Sequence, residues 1–277
     1  MNFVNAIMTT LVRTLMAPLA AWPLTGLVLL GLLSGIGAAV VFRFTSPQRG
    51  LRWVADWTRA NLLAMKLFKD EFGVTIRALG CLMIAVVLRL LFSLPPMLVL
   101  VIPFTLLLSQ MAMWYEFRAP RPGEPLVVEA VVLPEHWDPA GDVRLEVPAG
   151  VQIETEVISN PARHSYAWRI RASQDVRRQR LTVTLPAGRF EKVLTVQADP
   201  ARLALVSPKR PGPGLLDRIL YSAEPGFDTA SPVQEISVRV GPRKTPVFGW
   251  NVPWWLTFFV FSIVGALLIK PFVKVQF

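Results

Sequence analysis

Two arginines lie where a charge is expensive. Arg43 closes a run of 19 uncharged residues, Leu24–Phe42, and Arg89 is the single charge in the stretch 78–115. Away from water a guanidinium needs headgroups, a wet cavity or a partner. Both can snorkel to the cytoplasmic interface. They can also serve a polar recess between spans, with Arg43 at its mouth and Ser34, Thr105, Ser109 and Gln110 adding polarity. Thr105 and Ser109 are about one helical turn apart and can share a face. The same hydroxyls suit bonds to their own helix or to a neighbour.

Little else in the chain could do covalent chemistry. His136 and His164 are the only histidines, and neither has a metal-ligand neighbour at useful spacing. No Gly-rich phosphate loop, His-Glu-x-x-His run or Gly-x-Ser-x-Gly elbow is present. Asp138, Asp142, Glu154 and Glu156 are carboxylates of a β-rich region, and strand alternation puts Glu154 and Glu156 on its wet face. Cys81 is the single cysteine, so no intramolecular disulfide can form. These observations point away from an enzyme and call for no cofactor and no metal.

The elements that must position the arginines are membrane spans. Leu24–Phe42 and the 25 uncharged residues Thr245–Ile269 are each long enough to cross about 30 Å of hydrocarbon as a helix. The apolar stretch 78–115 is too long for one crossing. Pro95-Pro96 is expected to break it into an in-plane or slanting helix over Val74–Ser93 and a span over 95–115, kinked at Pro103. Trp114 and Tyr115 then stand at the far interface, level with Trp250, Trp254 and Trp255. Gly31 and Gly35 have the small-xxx-small spacing that lets helices approach closely.

Charge placement sets the orientation. Residues 43–77 carry seven basic and three acidic residues, and Lys270 and Lys274 follow the last span, whereas residues 112–245 carry 18 basic and 16 acidic. Clustered cations mark a cytoplasmic face. The net charge of +10 is accordingly read as contact with anionic headgroups rather than with nucleic acid. The expected order is an interfacial helix over 1–23, with Phe3, Ile7, Leu11 and Leu15 recurring every four residues, or an additional crossing there. A first span (24–43), an amphipathic hairpin (44–94), a second span (95–115), a linker (116–125), a β-sandwich (126–243), a third span (246–270) and a tail (271–277) follow. The N-terminus and sandwich fall in the periplasm of a bacterial inner membrane, the hairpin and C-terminus in the cytoplasm.

The fold class is thus membrane α-helical with an extracytoplasmic, all-β, immunoglobulin-like sandwich. Seven strands are expected, over 127–133, 142–147, 151–157, 166–172, 180–185, 190–196 and 234–240, with a short helix near Leu215–Leu220 inside the Pro/Gly-rich excursion Ser207–Asp228.

The layout of the spans resembles the three-span core of the YidC/Oxa insertase superfamily. The resemblance rests on Val40-Val-Phe-Arg43-Phe-Thr45 at the end of a glycine-bearing first span, the basic hairpin after it, and Pro95-Pro-Met-Leu-Val-Leu-Val-Ile-Pro103 in the second span. It implies a groove arginine, Arg43, and a cytoplasmic hairpin, residues 47–93. It implies a protein that assists insertion or assembly of other membrane proteins, with Trp53, Trp57, Arg59, Lys66 and Arg89 as contacts for clients or lipid. Its partners are then membrane lipids and client proteins. The other reading is a non-catalytic scaffold or accessory subunit that docks a partner through the sandwich.

Overall fold

The structure, a computed structural model, describes residues 2–138, 141–247 and 249–273, and among these the side chains of residues 9–272. The side chains of Phe3 and Ile7, and Lys274 in the expected tail, lie outside the described residues. In chain order the helices before the sandwich are α1 (Asn2–Met16), α2 (Pro23–Thr45), α3 (Gln48–Leu67) and α4 (Phe72–Tyr115). The sandwich contains β1 (Pro125–Val132), β2 (Arg144–Glu146), β3 (Val151–Ile153), β4 (Ile158–Asn160), β5 (Ser165–Ala172), β6 (Val176–Leu185), β7 (Gly188–Val196), β8 (Lys209–Arg210), α5 (Leu215–Leu220) and β9 (Val233–Val238). A two-strand ribbon, β10 (Pro246–Val247) and β11 (Trp250–Asn251), precedes α6 (Trp254–Val273). Among the described residues, helices α2, α4 and α6 are the three long and apolar enough to cross a membrane.

The chain divides into two compact units, residues 1–27 with 105–256, and residues 28–104 with 257–277. In the first, one sheet runs β3-β5-β1-β9-β8, with β4 also on β5, and a second runs β2-β6-β7. Alternation explains how they share a core. Leu126, Val128, Ala130 and Val132 of β1, and Tyr166, Trp168, Ile170 and Ala172 of β5, point inward with period two against Leu181, Val183, Leu185, Leu194 and Val196 of β6 and β7. In β6 the inward residues Val176 and Leu181 are an odd number apart. A bulge absorbs the extra residue, shifting the register between Val176 and Gln179 and holding Arg178 at φ 50°.

The expected strand over 151–157 is two strands, β3 and β4, both paired with β5. Side chains interrupt the ladder between them: the Arg169 amide donates to Thr155 Oγ1 (3.0 Å), and Glu154 pairs with Arg169 and Arg171. The helix at Leu215–Leu220 falls where it was expected.

An insertion between two spans must leave close to where it enters. Here β1 pairs antiparallel with β9, and the neighbouring chain continues the pairing: Phe117 bridges Pro242, Arg118 N donates to Gly241 O (2.9 Å) and Arg243 N to Glu116 O (2.8 Å). The linker is held by a two-pronged ion pair, Arg118 Nη1 and Nη2 on the Glu124 carboxylate at 2.9 and 2.7 Å. The Arg118 guanidinium, followed by the Arg121 amide, holds the Glu124 carboxyl below its ordinary range despite partial burial. Its stabilisation is therefore complete above the unfolded value of about 4.3 and fades as pH falls through the lower folded value. Glu124→Gln should lower the midpoint of thermal unfolding at neutral pH, and the gap to the wild type should close in acid. A gap that is constant across that range would show the pair to be dispensable.

In the second unit α2 and α6 meet backbone to backbone. A Cβ on Gly31 would lie 2.9 Å from Phe258 O, and one on Gly35 would overlap the Ser262 carbonyl. Phe42 and Leu51 are buried together against Phe92 of α4.

The expected break at Pro95-Pro96 is absent. Helix α4 is continuous over 44 residues, with Pro95, Pro96 and Pro103 inside it. In water each internal proline costs about 3 kcal/mol. In apolar surroundings a break is worse, because every backbone group it frees lacks water to bind. The helix loses three amide donors and keeps the rest of its ladder.

Candidate functional site

The residues expected to form a polar recess fall in both units. In the second unit Arg43 is exposed at the last turn of α2, its guanidinium 5.9 Å from the Phe44 ring centre. The Ser34 hydroxyl donates to Leu30 O of its own helix. In the first unit Thr105 is exposed, and the Ser109 hydroxyl donates to Leu106 O (2.9 Å). For both serines the bond to their own helix is the one made.

Gln110 behaves differently. It is fully buried, and its Oε1 accepts from Thr9 Oγ1 of α1 (3.1 Å), which also lies 3.4 Å from Ser222 O. Gln110 Nε2 and Ser222 Oγ are buried without a hydrogen-bond partner. A polar cluster thus joins α1, the last turns of α4 and the 207–228 excursion. Thr9 and Ser222 carried no signal in the sequence that set them apart from other hydroxyl residues.

Other main-chain bonds fasten the same level of the first unit. The Val206 amide donates to Met113 O (2.9 Å), one of the carbonyls a helix end leaves open, and the Leu203 amide to Ala20 O (2.8 Å). Tyr115 Oη bonds Pro23 O (2.9 Å), and the Trp254 indole donates to Glu116. Of the stripe Leu11 and Leu15, Leu11 is 56% exposed and Leu15 half-buried, while Val12, Met16 and Ala20 are buried.

The candidate contacts of the hairpin lie on its surface. Trp53 is exposed and stacked on half-buried Trp57, with ring centres 5.5 Å apart. Arg59, paired with Asp56 at 3.3 Å, is exposed, as are Lys66 and Arg89. Of α3 only Leu51 and Val54 are buried. Along α4 the apolar side chains from Phe72 to Ile102 are largely exposed, with Ala78 and Ala85 buried.

One buried constellation has the residue types of a nucleophile and its base. Lys192 Nζ is 3.1 Å from Ser207 Oγ, and both meet Glu224. A general base needs a free lone pair. As an ammonium Lys192 has none: its three protons go to Glu224, Ser207 O (2.7 Å) and Val193 O (2.9 Å). The Ser207 hydroxyl is turned to the carboxylate as well. Burial pulls the Lys192 pKa down, and the Glu224 charge opposes the pull. The group is an ion-pair clamp that fastens the excursion to β7.

His136 is in a short 3-10 turn, and His164, at φ 49°, packs its ring edge-on to Trp137. Among the described residues no three His, Cys, Asp or Glu side chains could hold a metal ion. No protein-family model matches the chain, and no curated protein and no solved structure matches it either.

Proposed function

We propose that the chain assists insertion or assembly of other membrane proteins in the manner of the insertases it resembles. The observation that carries this reading is the surplus of α4. A crossing needs about 20 residues, and α4 has 44, apolar along its length and barely covered. An anchor has no use for that surface. Together with Trp53, Trp57 and the cations Arg59, Lys66 and Arg89, it suits transient capture of apolar segments beside anionic headgroups. Arg43, exposed at the end of α2, is positioned to lower the cost of passing short polar segments.

We place the hairpin in the cytoplasm and the sandwich with α1 in the periplasm of a bacterial inner membrane, on the charge balance of residues 43–77. We also read the sandwich as immunoglobulin-like. Its orders β9-β1-β5-β3 and β2-β6-β7 match the A-B-E-D and C-F-G sheets of that fold. In this reading the chain begins at strand B, and β9 supplies strand A last.

A proteoliposome assay with a small single-span client tests the function. Arg43→Ala together with Trp53→Ala and Trp57→Ala should slow insertion roughly tenfold, as expected on removing anchoring side chains. Equal rates for variant and wild type would overturn the proposal. The scaffold reading has one observation of its own, the half-open sandwich edge at Ile153, Val157 and Ile158, which are 42%, 38% and 59% exposed. Gentle purification separates the two. Many nascent membrane proteins would accompany an insertase, and one stoichiometric partner a scaffold.

A further inference from the structure

Helix α5 is amphipathic the wrong way round for a surface facing water. Its polar side chains turn back to their own domain. Arg218 donates to the carbonyls of Gly212 and Phe227, and Asp217 meets Lys209 at 3.4 Å. Its leucines turn out: Leu215, Leu216 and Leu220 are 60%, 70% and 43% exposed. Leu216 and Leu220 are one turn apart and share a face.

The level of this helix relative to the last turns of α4 is given by the Thr9 cluster. Ser222, two residues beyond Leu220, is tied through Thr9 to Gln110. Gln110 is five residues before the end of α4, about 7.5 Å along the helix axis. The uncharged run that contains it, Leu90–Tyr115, is 26 residues, longer than the roughly 20 that cross the hydrocarbon. Gln110 therefore stands near the boundary between acyl chains and headgroups. Two residues reach about 7 Å at most, so the end of α5 is held at that boundary too.

Charge at this site also suits a lipid surface. Arg13 of α1 and Arg178 on the β6 bulge both reach the surface, and partial burial, followed by the positive charge of Arg13, lowers the Arg178 pKa. Among the described residues neither makes an ion pair, and the acid near Arg178, Glu224, is committed to Lys192.

We infer that α5 is a second interfacial helix, with Leu215, Leu216 and Leu220 in the acyl region of the leaflet beside Tyr115 and with Arg13 and Arg178 on its phosphates. The sandwich then rests on the membrane at a fixed height instead of hanging from its linkers. This inference does not depend on the proposed function.

The full chain, with Cys81→Ser, reconstituted in vesicles and carrying one polarity-sensitive fluorophore on Leu216→Cys or Leu220→Cys, tests it. Nitroxide on the upper acyl chain should quench both probes strongly, and aqueous iodide should quench them several-fold less than a probe on Ser173→Cys. Adding phosphatidylglycerol to phosphatidylcholine vesicles should strengthen nitroxide quenching, and Arg13→Gln with Arg178→Gln should abolish that gain. Probes open to iodide, or shielded from both quenchers as beneath a protein partner, would overturn the lipid contact. A gain that survives the double variant would overturn the part given to the arginines.

Discussion

Gly35→Leu is expected to prevent α2 and α6 from packing, while Gly37→Leu, two residues along the same helix, is tolerated. The difference is local geometry. A Cβ at Gly35 would fall inside the van der Waals envelope of the Ser262 carbonyl and 3.0 Å from the Ala266 amide nitrogen, both backbone atoms that no rotamer change can move. Gly265 makes the reciprocal approach, its Cβ position falling on the backbone of Leu32. At Gly37 nothing lies within 4 Å. Overpacking a well-filled core costs about 1–3 kcal/mol when side chains can yield, and a clash of backbone on backbone should reach or exceed the top of that range. Lipid tails give no hydrophobic push that could compensate, because close packing is itself what holds such helices together. Thermal unfolding of the detergent-purified protein, followed by size-exclusion profile and helix signal, reads the effect. A Gly35→Leu protein as stable as Gly37→Leu would refute the close crossing.

That contact was half legible in the sequence. The spacing of Gly31 and Gly35 marks a face of close approach, and α2 uses that face. Its partner was not legible, since Ser262, Gly265 and Ala266 look like ordinary small residues in an apolar helix. Strand parity was equally readable, because the inward positions of β1 and β5 alternate without interruption and alternation survives any choice of neighbour. Where parity breaks, as between Val176 and Leu181, the bulge explains it afterwards, but single-strand reading ends at Arg180. The proline pair misled for a physical reason. The rule that proline ends a helix assumes water ready to take the freed carbonyls, and residues 78–115 have almost no polar company to replace it.

The site residues divide along the same line. Ser109 was open to bonding within its own helix, because that option needs no partner distant in sequence. Gln110 was singled out as polar in an apolar run, yet the residues it joins are 101 and 112 positions away. The exposed leucines of α5 show the limit from the other side. The helix was legible from its spacing, whereas the inward turn of Asp217 and Arg218 depends on Lys209, Gly212 and Phe227.

The Lys192 clamp provides the second large effect, and its sign can be worked out from what each truncation leaves behind. Lys192 shares the inward face of β7 with Leu194 and Val196, a position that in a sandwich should be apolar. Glu224→Gln leaves an ammonium with 0% side-chain exposure and no counter-charge, a loss of roughly 3–5 kcal/mol by the general cost of a broken buried pair. Lys192→Met should cost less, since the remaining carboxylate keeps the Val193 amide at 2.8 Å and the Ser207 hydroxyl as donors. The pH dependence distinguishes this account from simple loss of packing. Burial already places the Lys192 pKa below its ordinary value, and removing the neighbouring charge takes away the force that opposed burial. Below the folded value both states hold the proton and the penalty is complete. Between the folded and unfolded values the unfolded chain binds more protons, so stability rises with pH. Glu224→Gln should therefore regain stability as pH rises toward the unfolded lysine value of about 10.4, more steeply than the wild type, and Lys192→Met should show no such recovery. Parallel curves for the two variants would mean that Lys192 holds its proton equally in the folded and the unfolded chain, and the burial penalty assigned to its charge would then be refuted.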